Sequence, residues 1–246
     1  MRSIWLGLLA TRRIWYALAM NPNIAVNLAK VQAQIESSCH TAGRSAGSVQ
    51  LLAVSKTWGP EAVRQAHAAG QLAFGENYIQ EAVDKITALQ DLALQWHCIG
   101  PIQSNKTRLV AAHFDWVHSI DRLKTAQRLS EQRPSHLQPL QVCIQFNVDG
   151  GPTKAGVTTA DLPALAKELS RLPGLKWRGL MTIPEPSDSP LVMRAVHAKA
   201  KALFEGLRQQ GFDLDTLSMG MSADLDAAIA EGSTMVRVGT AIFGQR

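Results

Sequence analysis

Residues 51–70 read "LLAVSKTWGPEAVRQAHAAG", and the period of the apolar positions changes once within them. The first part is a short, continuous, β-branched and apolar run, the pattern of a strand buried on both faces. A proline follows four residues after Lys56, and a helical pattern then runs through "EAVRQAHAAG" to Gly70, a helix-stop signal. Between the two sits Lys56, placed to hold a charged amine at the lip of the core. A buried amine is costly unless it is paired, deprotonated or chemically used.

The same unit recurs along the chain. Apolar, β-branched or aromatic runs at 51–55, 72–75, 95–99, 115–120, 141–148, 176–183, 216–221 and 235–243 predict eight strands, each followed by a helical pattern up to the last. A further helix precedes the first strand, with Ile24, Leu28, Val31 and Ile35 at helical spacing. Strict alternation without a linker-like break predicts an α/β fold, a (β/α)₈ barrel. An open, doubly wound sheet is the alternative, because periodicity does not distinguish a closed sheet from an open one. The spacing of the units is too irregular for a solenoid repeat.

Composition narrows the classes. The chain has 246 residues, 46% of them hydrophobic and 18% charged, enough for a substantial core and unlike a disordered segment. The net charge of +5 points only weakly to nucleic acid, because Arg2, Arg12 and Arg13 supply three of those charges within residues 1–19, which carry no acid. No basic block with interleaved aromatics exists, so no nucleic-acid partner is expected. Cys39, Cys98 and Cys143 are far apart and form no metal-ligand spacing. An odd count also argues against a disulfide framework, so reduced thiols in a cytoplasmic protein are expected.

Residues 1–19 are the odd segment. Arg12 and Arg13 interrupt the apolar run, which is too short for a signal-peptide core or a membrane span. They are read as an extension outside the fold, disordered or the product of a start placed too early. The domain then runs from 20 to 246, and no membrane partner is expected.

In barrels the chemistry lies at the C-terminal ends of the strands. Those ends carry Lys56; Glu76 and Asn77; His97 and Asn105; "HSID"; Asn147 and Lys154; "RGLMTIP"; Ser218 and Ser222; and Arg237, Gly239 and Thr240. In "GMSADLDAAIAEG", Ser222 is placed to cap the next helix, beside free N–H groups. "VGT" offers N–H groups at a glycine together with the Thr240 hydroxyl. The two segments on adjacent strand ends predict a phosphate site. A lysine across the mouth adds a Schiff-base chemistry, which needs a neutral amine and so favours burial. Aldolase chemistry on a sugar phosphate and an imine with pyridoxal 5′-phosphate (PLP) both fit. So does a purely structural pairing of Lys56 with Glu76 or Asp121.

The segments "LLAVSKT", "FGENYIQEAVDK", "WHCIGPIQSNK", "RGLMTIP", "LSMGMSAD" and "GSTMVRVGTAIFG" resemble the pyridoxal phosphate homeostasis proteins, the YggS-like PLP-binding family. The resemblance runs in uninterrupted order from about Met20 to Phe243. It implies a single TIM barrel similar to the alanine racemase N-terminal domain, with an extra N-terminal helix. It also implies PLP as cofactor, held as a Schiff base on Lys56. Arg237 would then face the pyridine nitrogen, Ser222, Gly239 and Thr240 would hold the phosphate, Asn77 would lie near the ring and Met221 near the phosphate end. His97 matches the family motif without an assigned role, and a core histidine is the alternative.

An arginine facing the ring nitrogen has no proton to give up, so it weakens the ring as an electron sink. The racemases carry a second domain that supplies a tyrosine acid/base, whereas this sequence ends after strand eight and has only Tyr16 and Tyr78. Tyr78 reads as a packing residue. The expected function is therefore intracellular PLP (vitamin B6) homeostasis as a carrier or buffer, not an enzyme, with PLP-dependent apoenzymes as recipients and a monomer or weak homodimer as the assembly. The alternative is a weak PLP-dependent amino-acid racemase or lyase.

Overall fold

The computed structural model describes residues 23–151 and 155–245. Residues 1–19 and Lys154, which the sequence singled out, lie outside the described residues. Eight parallel strands close into a barrel in sequence order: β1 (Gln50–Val54), β2 (Ala73–Glu76), β3 (Gln95–Cys98), β4 (Trp116–Ile120), β5 (Leu140–Gln145), β6 (Leu175–Met181), β7 (Thr216–Ser218) and β8 (Met235–Val238). Closure is made by β8 pairing with β1, with Gln50 opposite Met235 and Ala53 opposite Val238. The open-sheet alternative is thereby excluded.

Helix α1 (Ile24–Thr41) precedes the barrel. Its buried residues are Ile24, Leu28, Val31, Ile35 and Cys39, one stripe at helical spacing. Asn23 caps it by accepting from the Val26 N–H at 3.2 Å. The crossover helices are α2 (Pro60–Ala68), α3 (Ile79–Ala88), α4 (Thr107–His113), α5 (Leu123–Gln132), α6 (Leu162–Leu169), α7 (Pro190–Gln209) and α8 (Leu225–Ala230). A single turn, α9 (Thr240–Phe243), follows β8.

The fifth and sixth strands end at Gln145 and Met181, short of the 148 and 183 of the sequence reading, and two further strand ends differ at the mouth. The seventh strand stops at Ser218 rather than running to 221, because Gly220 turns the chain at φ +94, a conformation only glycine adopts freely. The eighth stops at Val238, and residues 240–243 are helical rather than extended. Both shortened ends release chain into the C-terminal mouth, where loops carry chemistry.

The main core lies between the barrel and its helices, with Phe74, Phe114, Phe146 and Phe243 fully buried. Inside the barrel the packing is different. Leu52, Ala73 and Met235 form one small apolar cluster and Trp116, Cys143 and Met181 another, and the buried polar side chains of His97, His118, Ser218 and Arg237 lie among them. Cys39, Cys98 and Cys143 are all buried free thiols, as expected. Among the described residues no helix is long and apolar enough to cross a membrane.

Candidate functional site

A cleft of about 730 Å³ opens at the C-terminal mouth of the barrel. Lys56, Asn77, Met221, Ser222, Arg237, Gly239 and Thr240, the seven residues singled out from the sequence, all line it. They arrive from the ends of β1, β2, β7 and β8, so segments far apart in sequence meet only because the barrel closes. A larger cleft, about 870 Å³, lies at the opposite mouth and is lined by Gln50, Gln71, Gln95 and Asp115. It holds neither a lysine nor an arginine and gathers none of the seven.

Lys56 sits two residues beyond the end of β1 and is exposed, not buried. The burial that was expected to keep its amine neutral is therefore absent; the strand is buried to Ser55 and the long stem carries the amine out into the cleft. The structural pairings considered for it are also absent. Glu76 binds Lys85 at 2.6 Å and Asp121 pairs with Arg122. No described residue hydrogen-bonds or ion-pairs with the Lys56 amine.

The turn that carries it is held unusually firmly. Thr57 has φ +67, the one described non-glycine residue in the left-handed region and a costly place for a β-branched side chain. Its N–H donates to Glu81 Oε1 at 2.7 Å. Ser55 Oγ donates to Glu76 Oε1 at 2.6 Å. Burial pushes the Glu76 carboxyl above its ordinary range, and the Lys85 ammonium and Ser55 hydroxyl pull against that shift.

Across the cleft, Ser222 lies between the Gly220 turn and α8. It does not cap α8, as had been expected: the N-cap position is Asp224, and the helix starts at Leu225. Asp224 Oδ1 instead accepts the Met221 N–H at 2.7 Å, and its Oδ2 pairs with the buried His197 Nε2 at 2.9 Å. Burial raises the Asp224 carboxyl, but the bonds from His197 and Met221 outweigh it and leave the group below its ordinary range. Ser222 and Thr240 are exposed side chains. Thr240 opens α9, whose first N–H groups lack partners within the helix. Gly239 packs against the end of β1, where an added Cβ would lie 3.0 Å from the Val54 carbonyl oxygen, so a bulkier residue would push this loop away from the strand.

Arg237 closes the floor. It is buried, and its Nη1 donates to Ser218 Oγ and its Nη2 to the Thr182 carbonyl, each at 2.8 Å. Burial lowers its pKa to about 10, which leaves it charged at neutral pH. Beneath it runs a chain of hydrogen bonds the sequence did not reveal. Ser218 Oγ lies 3.0 Å from His118 Nδ1, His118 Nε2 lies 2.9 Å from His97 Nδ1, and His97 Nε2 lies 3.0 Å from Gln95 Oε1. With the Gln95 carbonyl accepting, His97 carries its proton on Nε2. His118 then carries its own on Nε2, and the serine donates to His118 Nδ1. Burial drives His97 down to about 3 and His118 well below its ordinary value, with His97 and Arg237 adding to the second shift. Both rings are neutral, and His97 is a core histidine inside the barrel rather than a group at the cleft.

Tyr78 is 56% exposed at the start of α3, so it is not the packing residue it resembled. Two buried acceptors near the mouth, Asn77 Oδ1 and Thr182 Oγ1, have no hydrogen-bond partner within the protein. An orphaned polar atom in a cleft is a place where a ligand can complete the bonding. An exposed amine, a buried guanidinium, two hydroxyls and an orphaned amide oxygen fit a small, planar, anionic carbonyl compound.

The model of the alanine racemase N-terminal domain matches residues 26–246. The pyridoxal phosphate homeostasis protein of Pseudomonas aeruginosa is 58% identical over 223 residues, covering 91% of this chain and 96% of that protein. The protein of the same name from Escherichia coli K12 is 51% identical over 227 residues, covering 91% and 97%. PipY of Synechococcus elongatus PCC7942, solved with PLP bound, superimposes with a TM-score of 0.80 at 41% identity, covering 90% of this chain and 100% of that one. Alanine racemase from Corynebacterium glutamicum shares the fold, with a TM-score of 0.65 at 19% identity over 60% of its length.

Proposed function

This chain belongs to the pyridoxal phosphate homeostasis protein family, and on that premise we propose that it holds PLP in the cleft and acts as a carrier or buffer rather than a catalyst. The observation that carries the reading is the convergence of Lys56, Arg237, Ser222 and Thr240 on one cleft, with Asn77 Oδ1 unpartnered beside them. When bound, PLP supplies an aldehyde that condenses reversibly with a primary amine, with loss of water. Lys56 is the amine at hand, unengaged by any described residue. Ser222 and Thr240 offer neutral donors to a phosphate, together with the first N–H groups of α9. Arg237, fixed by Ser218 and Thr182, offers N–H groups to a ring nitrogen from the floor.

The same residues account for holding without turnover. Arg237 donates a hydrogen bond but no proton, so the ring is a weaker electron sink than it would be over a carboxylic acid. A racemase needs acid–base groups on both faces of its substrate. Among the described residues the one phenol near the mouth, Tyr78, is exposed and does not line the cleft. A cytoplasmic site of action, with apoenzymes as recipients, follows from this reading as part of the proposal. Titrating PLP into the cofactor-free protein should produce a near-visible absorption band that saturates at one equivalent, with no amino-acid racemisation or cleavage. Absence of the band overturns the binding reading; multiple turnovers of an amino acid overturn the carrier reading in favour of a weak racemase or lyase.

A further inference from the structure

The most heavily engaged charged group near the cleft is not in it. Lys85, on α3, is 3% exposed, and its ammonium uses its three donors on Glu76 Oε1 at 2.6 Å, the Ser55 carbonyl at 2.9 Å and Glu81 Oε1 at 3.3 Å. Glu81 Oε1 in turn accepts the Thr57 N–H at 2.7 Å, and Glu76 Oε1 accepts from Ser55 Oγ at 2.6 Å. Every one of these bonds ends on the residue before Lys56, on the residue after it, or on a group that binds them. We propose that Lys85, Glu76 and Glu81 form a clamp that positions Lys56, gripping Ser55 and Thr57 from behind so that the turn stays strained and the amine is delivered into the cleft. The proposal rests on the reading that Lys56 is the amine that captures PLP.

Stability alone does not explain the arrangement. A buried ion pair is commonly replaceable by apolar side chains without loss of stability. This one also leaves Glu76 Oε2 buried with no partner, an imperfection that packing alone would remove. The left-handed Thr57 is a second cost at the same spot, and such strain persists only where the surroundings over-determine it. Both costs are met by a turn that bond formation needs fixed: a reacting amine must sit within about 3–3.5 Å of its target and aligned with it.

The test uses two variants. Lys85→Met with Glu76→Gln removes the clamp's charges as a pair, leaving no lone buried ion, and Glu81→Ala releases the Thr57 N–H from a partly exposed position that the fold tolerates. Three readouts are compared with the parent: the rate of PLP capture, trapped by borohydride on Lys56; the affinity for pyridoxine 5′-phosphate, which has the ring and phosphate but no aldehyde; and amide exchange of residues 55–58 in the cofactor-free protein. The clamp predicts capture slowed at least about tenfold, a barrier increase of about 1.4 kcal/mol. It also predicts faster exchange at Thr57 and unchanged pyridoxine 5′-phosphate affinity. Unchanged capture in both variants overturns the clamp, as does an equal loss of pyridoxine 5′-phosphate binding and capture, which marks a structural role only. If the parent itself carries no label on Lys56, the cofactor reading fails first and the clamp with it.

Discussion

The two walls of the cleft are built by different means. The lysine wall, from β1 and β2, rests on buried charge: Lys85 with Glu76 and Glu81, and a threonine held at positive φ. The opposite wall, from β7 and β8, presents exposed hydroxyls and the start of a short helix. Its own support is a single aspartate bridging Met221 and His197. The difference follows from the tasks proposed for them. A covalent bond demands one direction of approach, and fixing it justifies strain. An anion is recognised from many directions by several weak donors, so small neutral groups near the surface suffice.

If that contrast holds, losses on the two walls differ in kind. The largest effect belongs to Lys56→Ala, which should abolish borohydride-trapped pyridoxyl label altogether while pyridoxine 5′-phosphate still binds; retained label at parental level would place the amine elsewhere. On the opposite wall, Ser222→Ala and Thr240→Val should each weaken PLP binding roughly ten- to a hundredfold. Neutral donors to a charged acceptor are worth about 1.5–3 kcal/mol, and about 1.4 kcal/mol is tenfold. Capture on Lys56 should still reach completion at high PLP, as titration followed by trapping will show. Parental affinity in both variants would remove the phosphate from this wall.

Arg237→Gln lies between the walls. It should shift the absorption band of bound PLP and its pH dependence more than the affinity, because its proposed partner is the ring rather than the phosphate; a spectrum like the parent's would break that assignment. Beneath Arg237, the neutral His97 and His118 make the barrel acid-labile. In the unfolded chain both bind protons as pH falls below about 6.5, whereas folded His97 resists down to about 3. Stability is therefore full above about pH 6.5 and falls as pH drops below it, because the unfolded chain then binds protons that the folded barrel excludes. Urea unfolding between pH 7 and pH 4 measures the slope, which His97→Gln should reduce.

The sequence made the residues that line the cleft more legible than the residues that support them. Lys56, Ser222, Gly239 and Thr240 could be placed because each follows an apolar run, and barrel chemistry sits at strand ends. Lys85 could not, because Glu81 and Lys85 are four residues apart on a helix and read as an ordinary surface ion pair. Only the packing of α3 behind the 55–57 turn buries the lysine. Ser222 reads as the cap because its hydroxyl follows the apolar run, but the helix starts only at Leu225 and the cap position falls to Asp224. The interior chain had a faint signal, two histidines at inward positions of neighbouring strands, His97 and His118. It had no partner visible until Ser218 and Arg237 met them across the barrel.

Everything proposed for the cleft depends on Lys56 being the amine that holds PLP. Saturating the protein with PLP, reducing with borohydride and mapping the modified peptide tests it without any variant. One pyridoxyl group per chain, on Lys56, is the expected result. Label found only on Lys106 or Lys154, with Lys56 unmodified, would contradict it.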